Sequence, residues 1–112
     1  MKKIVYGMLL LFVAFSTQAQ DKKSKNAKYF FEVNGNCEQC QKRIQKAAFC
    51  VDGVKMASWS IETHEMTVII NEEKCSLLDV KKAIANVGHD TKEVKSKNEV
   101  YEKLHTCCQY ER

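Results

Sequence analysis

An α+β sandwich, with two helices packed on one face of an antiparallel sheet, is predicted for this chain by three observations. Two apolar stripes at helical spacing fall at 44–51 and 77–87. Short runs of alternating apolar residues flank them, so that the elements follow in the order β-α-β-β-α-β. The length, 112 residues, leaves room for one compact domain and not two. That order fits a ferredoxin-like βαββαβ open-faced sandwich, followed by a C-terminal tail with a weak helical pattern.

The elements can be justified in turn. Tyr29, Phe31 and Val33 alternate with Phe30 and Glu32, a first strand that Gly35 and Asn36 end. Ile44, Ala47, Ala48 and Val51 fall at i, i+3, i+4 and i+7, the buried stripe of a helix that stops at Asp52-Gly53. Ala57, Trp59 and Ile61 alternate in a second strand over 54–61, with Trp59 read as core. A turn over 62–65 lacks both Gly and Pro, and Met66, Val68 and Ile70 alternate in a third strand. Ser76-Leu77-Leu78-Asp79 is a capping box, in which hydroxyl and carboxylate satisfy free amides of the first turn. The helix it opens turns Leu77, Val80, Ile84 and Val87 inward and stops at Gly88. Thr91 to Val94 reads as a short fourth strand. In the tail, Val100, Leu104, Cys107 and Cys108 fall at i, i+4, i+7 and i+8.

Residues 1–19 read as a secretory signal. Lys2 and Lys3 precede an apolar run from Ile4 to Phe15, and Ser16, Thr17, Gln18 and Ala19 form a cleavage region. The apolar run is about a dozen residues, short of the ~20 a spanning helix needs, so no membrane span is expected after cleavage. Residues 20–28 are a polar, Lys-rich lead-in, 29–95 the domain, and 96–112 the tail. The expected location is periplasmic or secreted, where thiols can oxidise. The formal charge is +4, and loss of Lys2 and Lys3 leaves about +2, too little to argue for nucleic acid.

Six cysteines carry the chemistry: Cys37, Cys40, Cys50, Cys75, Cys107 and Cys108. Cys37-Glu38-Gln39-Cys40 lies between the first strand and the first helix. Two intervening residues let both sulfurs face one point before the helix start, where free amides and the positive dipole end favour thiolate. Paired thiolates suit Cu(I) and also Zn(II). The same motif also serves as a redox pair or a structural disulfide. The absence of proline from the chain weighs against a thioredoxin-like fold, whose active cysteines sit beside a cis-proline.

Val33-Asn34-Gly35-Asn36-Cys37-Glu38-Gln39-Cys40, then Ile44, then Gly53-Val54, resembles the heavy-metal-associated domain family of copper chaperones, N-terminal domains of metal-pumping P-type ATPases and periplasmic mercury-binding proteins. Gly88-His89-Asp90 is similar to the Gly-Tyr-Asp that follows the second helix in that family. The resemblance covers about 29–95. It implies the βαββαβ fold and a two-cysteine site for Cu(I) or Hg(II). The family's usual Gly-Met-x-Cys is here Gly35-Asn36-Cys37, one residue shorter and without the Met. The Cys107-Cys108 tail lies outside the family pattern.

Other residues enter by position. His89 belongs to the loop that this fold brings beside Cys37 and Cys40, as a further ligand or as a solvated histidine. His64 is assigned to the turn at the opposite end, and His105 stands near the tail cysteines. Cys107 and Cys108 either join the metal site, making a sulfur-rich centre able to hold Zn(II), or pack elsewhere. To reach the site, the tail is expected to cross the open sheet face over Phe30, Met56 and Ile69, using Val100 and Leu104. Cys50 and Cys75 both fall at the far end of antiparallel helices, where a disulfide closing roughly 25 residues would contribute on the order of 3 kcal/mol. Two separate thiols are the alternative.

No Ser/His/Asp arrangement, phosphate loop or carboxylate pair points to an enzyme. The function expected is a soft-metal carrier or scavenger that passes Cu(I), Hg(II) or Zn(II) to a Cys-bearing transporter or efflux component. A thiol-disulfide redox protein and an interaction module without metal traffic are the alternatives.

Overall fold

The computed structural model describes residues 23–112, so the predicted signal over 1–19 and the first part of the lead-in lie outside the described residues. Strand β1 (Ala27–Glu32) is followed by helix α1 (Glu38–Phe49), strands β2 (Val54–Trp59) and β3 (Glu65–Ile70), helix α2 (Leu77–Asn86), a short helix α3 (Asn98–Glu102) and a single 3-10 turn (Thr106–Cys108). The sheet is antiparallel with order β1-β3-β2. Tyr29 pairs with Val68 and Ala57 pairs with the same residue from the other side. The β2 register slips at Lys55, between the Val54–Ile70 and Met56–Ile69 pairs.

Alternation sorts the sheet faces as the pattern requires. Met66, Val68 and Ile70 are fully buried under the helices with Ile44, Ala48, Val80 and Ile84, while Phe30 on the open face is 58% exposed. The capping box forms as read: Ser76 Oγ accepts from the Asp79 amide at 3.2 Å, and Asp79 Oδ2 accepts from the Ser76 amide at 3.0 Å. Gly88, with φ +107°, ends the α2 region in a conformation that L side chains rarely adopt.

The fourth strand is where the expected architecture needs correction. Val33 and Thr91 form one isolated antiparallel bridge, and no ladder follows it. The reason is local. The Thr91 amide donates to the Val94 carbonyl at 2.9 Å, and the Val94 amide donates to Thr91 Oγ1 at 3.1 Å. The segment curls on itself, and a Thr side chain takes the amide that a strand would have offered to a neighbour.

The tail also takes a different route from the one expected. Leu104 rests on Gly88, and Val100 lies in a groove with Lys82, Ala85, Asn86 and Val94. The tail therefore folds along the end of α2 and the loop after it, and Phe30 stays open to solvent. Its contacts are polar as well as apolar: Tyr110 and Arg112 find buried partners at Gly88 and Asp90, which the sheet face does not offer.

Candidate metal centre

The loop that carries the first cysteine is seated on Trp59. That side chain is 1% exposed, and its Nε1–H is shared between the carbonyls of Val33 and His64, each at 3.0 Å. Gly35 lies flat against it: a Cβ there would stand 3.0 Å from Trp59 Cη2 and 3.3 Å from the Cys40 Cβ. The indole thus fills the space under the loop. Cys37 follows as the extended residue that caps α1, and Cys40 sits in the first turn, fully buried.

The two sulfurs are 3.5 Å apart. The C-terminal tail brings two more. Cys107 Sγ and Cys108 Sγ each lie 3.6 Å from Cys37 Sγ and 3.9 Å from one another. The sulfurs of Cys37, Cys40 and Cys108 all fall within 4.8 Å of each other. Cys40 and Cys108 are buried, Cys37 is half-buried, and Cys107 is exposed with its sulfur 3.5 Å from Gln39 Oε1. Cys37 is the common member of these contacts.

Cys37, Cys40 and Cys107 differ in acidity. The backbone amide of Cys40 at the helix start lowers Cys37 to about 7, against the effect of burial, with help from the three neighbouring thiols. Burial pushes Cys40 up to about 12. Cys107 is pushed up to about 11, chiefly by the hydrogen bond between its sulfur and that of Cys37. The arrangement favours thiolate at Cys37 and keeps Cys40 and Cys107 protonated until a cation displaces their protons.

His89 is placed close by but apart from the sulfur group. It is fully buried, its Nδ1 is 2.8 Å from the Asn34 carbonyl, and its ring stacks on Tyr110 with centroids 5.9 Å apart. Its Nε2 is buried with no hydrogen-bond partner. Desolvation lowers its pKa, so the neutral ring is favoured. His105 is exposed at the start of the 3-10 turn. His64 is at the cysteine end and not the opposite one, because Glu32 pairs with Glu65 and the β2–β3 turn lies beside the end of β1. It takes φ +63° and stacks on Trp59 at 5.5 Å.

Cys50 and Cys75 are both free thiols in this structure, the second of the two arrangements considered for them. Cys50 is exposed at the C-cap of α1 and lines the groove between the helices with Ala47, Ala83 and Val87. Cys75 is buried, its sulfur turned toward Gly53 and raised in pKa by desolvation. One thiol faces out and the other in.

The polar residues that dock the tail, Tyr101, Tyr110 and Arg112, were not singled out from sequence, whereas Val100 and Leu104 were. Tyr110 Oη donates to the Gly88 carbonyl and accepts from the Asp90 amide, each at 2.8 Å. Tyr101 Oη donates to the Tyr110 carbonyl. Asn36 Nδ2 donates to the Gln109 carbonyl at 2.7 Å, tying the cysteine loop to the tail. The only signal was the Cys-Cys-x-Tyr spacing, which sets Tyr110 two residues beyond Cys108.

No protein-family model matches the chain, and no curated protein matches it. Solved structures do. The CopZ metallochaperone is 26% identical, with a TM-score of 0.56, over 58% of this chain and 98% of that one. The N-terminal domain of a potential copper-translocating P-type ATPase from Bacillus subtilis is 28% identical, with a TM-score of 0.56, over 59% and 84%. MerP from Ralstonia metallidurans CH34 is 25% identical, with a TM-score of 0.51, over 58% and 94%. With its sheet, its two packed helices and a cysteine cluster at the start of the first, the chain carries a heavy-metal-associated-like domain.

Proposed function

We propose that this protein binds a soft metal ion, Cu(I), Hg(II) or Zn(II), through Cys37 and Cys40 and acts outside the cytoplasm as a carrier or scavenger. The observation that supports this most directly is the pair of sulfurs 3.5 Å apart at the start of α1, one buried and one half-buried. The copper and mercury proteins to which the chain is similar support the choice of soft ions. Thiolates bind such ions in preference to hard ones.

The mechanism is ligand exchange. The ion meets the Cys37 thiolate first, and Cys40 loses its proton to solvent as the second bond forms. A sulfur of a partner then bonds to the ion before Cys37 or Cys40 releases it, so the ion never enters water free. The partner this chemistry fits is a Cys-bearing transporter or efflux component. The predicted signal over 1–19 is the support for export, and among the described residues no helix is long and apolar enough to cross a membrane.

Titration of the reduced protein with Cu(I) against a chromophoric chelator tests the reading. One equivalent bound tightly, lost in Cys37→Ser and Cys40→Ser and kept in Cys50→Ser, is the expected result. Unchanged affinity in the Cys37→Ser/Cys40→Ser double variant would overturn it.

A further inference from the structure

Cys108 belongs to a segment beyond the domain's last sheet contact, yet its sulfur is fully buried and 3.6 Å from Cys37. We propose that Cys108 is a third ligand, closing the Cys37–Cys40 pair into a trisulfur site, and that the exposed Cys107 is the sulfur through which the ion leaves. The proposal rests on the soft-metal reading and deepens it.

The spacing of the sulfurs argues for the closed form. With metal–sulfur bonds of ~2.3 Å, sulfurs stand about 4.6 Å apart in a linear pair, about 4.0 Å in a trigonal plane and about 3.8 Å in a tetrahedron. The three contacts that Cys37 makes are 3.5, 3.6 and 3.6 Å. A linear pair would require Cys37 and Cys40 to spread by about an ångström. A three-sulfur or four-sulfur ion would require only a few tenths from each.

The arm is also held in place without the sulfurs. Tyr110 bonds to both Gly88 and Asp90, Arg112 pairs with Asp90, Leu104 lies on Gly88, and Asn36 holds Gln109. Cys108 is therefore presented to Cys37 before any ion arrives, and little ordering remains to oppose binding. Two sulfurs, Cys40 and Cys108, are shut from solvent, so a bound ion is screened from water on that side. Cys107 is on the outside, next to Cys37 and Cys108. An ion handed outward passes from Cys37 to Cys107 as one metal–sulfur bond forms and another breaks, and the Cys107 proton goes to solvent while Cys37 regains one.

The test is X-ray absorption of the reduced full chain loaded with one equivalent of Cu(I), joined to chelator competition. Three or more sulfurs per copper are expected, falling to two in Cys108→Ser and Cys108→Ala with at least a tenfold loss of affinity. Cys107→Ser should keep three sulfurs and affinity within about threefold, yet slow the release of copper to a small dithiol acceptor at least tenfold. Two sulfurs in the unaltered protein would overturn the trisulfur site, and this reading needs no variant to fold. Unchanged affinity in both Cys108 variants, with copper still lost in Cys37→Ser, would overturn the role of Cys108 and leave the Cys37–Cys40 site standing. Copper bound as tightly without Cys37 and Cys40 would overturn the underlying reading as well. Release unaltered by Cys107→Ser would overturn the exit role.

Discussion

Arg112 closes on Asp90 in a two-pronged ion pair, with Nε 2.9 Å from Oδ2 and Nη2 3.1 Å from Oδ1. Asp90 is 3% exposed and also accepts the Ser96 amide through Oδ1 at 2.6 Å. Arg112 is thus fixed to the loop after α2, and the tail between them is drawn across the cysteine end. Bidentate geometry is specific to a guanidinium, and Nη2 reaches the Ser96 carbonyl as well, at 2.7 Å.

Arg112→Gln should therefore loosen the tail without unfolding the sheet. Removing one member of a fully buried pair costs ~3–5 kcal/mol. Here the arginine side chain is 21% exposed and the tail can lift away, so a loss on the order of 2 kcal/mol, felt mainly by the tail, is expected. Hydrogen exchange of the metal-free protein checks this: amides of 98–110 should exchange faster while those of β3 stay protected. Lys at this position should restore only part of the protection, since it cannot make both bonds.

Cys37 should be the first thiol to be alkylated in the metal-free protein. Its pKa is lowered to about 7 by the Cys40 amide, whereas Cys40 and Cys107 are pushed up to about 12 and 11. Deprotonation produces the nucleophile, so the rate at Cys37 should rise as pH climbs through about 7 and level off above it. Cys40 should stay unmodified, being both buried and protonated. Mass mapping after short iodoacetamide pulses between pH 5 and 9 checks the order.

Gly88→Ala should destabilise the protein for two separable reasons. The backbone sits at φ +107°, and the new Cβ would stand 2.9 Å from Leu104 Cδ2. Backbone strain of this kind costs roughly 1–3 kcal/mol. The double variant Gly88→Ala/Leu104→Ala removes the steric part and keeps the strain. Melting of the four proteins in the cycle should then show a favourable coupling of about 1 kcal/mol.

Trp59→Phe should keep the apolar volume near Gly35 but leave the Val33 and His64 carbonyls without their shared donor. An unmade buried hydrogen bond costs about 1–3 kcal/mol. Chemical denaturation measures that loss. The loop seat should also slacken, raising the accessibility of Cys40 to thiol reagents.

Local pattern determined most of this molecule in advance. The alternation in β1 and β3, the stripe Ile44–Ala48 and the Ser76–Asp79 box act within a few residues of one another, so their outcome is written in spacing alone. The Cys37–Cys40 pair was legible for the same reason: a single helix start positions both sulfurs. The fourth strand turned on a competition that spacing does not show, and the path of the tail was decided by tertiary structure alone. Whether Thr91–Val94 pairs with β1 depends on a choice between two sets of partners for the same amides, and a threonine hydroxyl within the segment prevailed. Whether Cys107 and Cys108 reach Cys37 depends on where a tail docks. That is set by Tyr110 and Arg112 meeting Gly88 and Asp90, some twenty residues earlier in the chain. No periodicity records such a pairing. A buried carboxylate selects its guanidinium by geometry in space, and the sequence distance between them carries no trace of it.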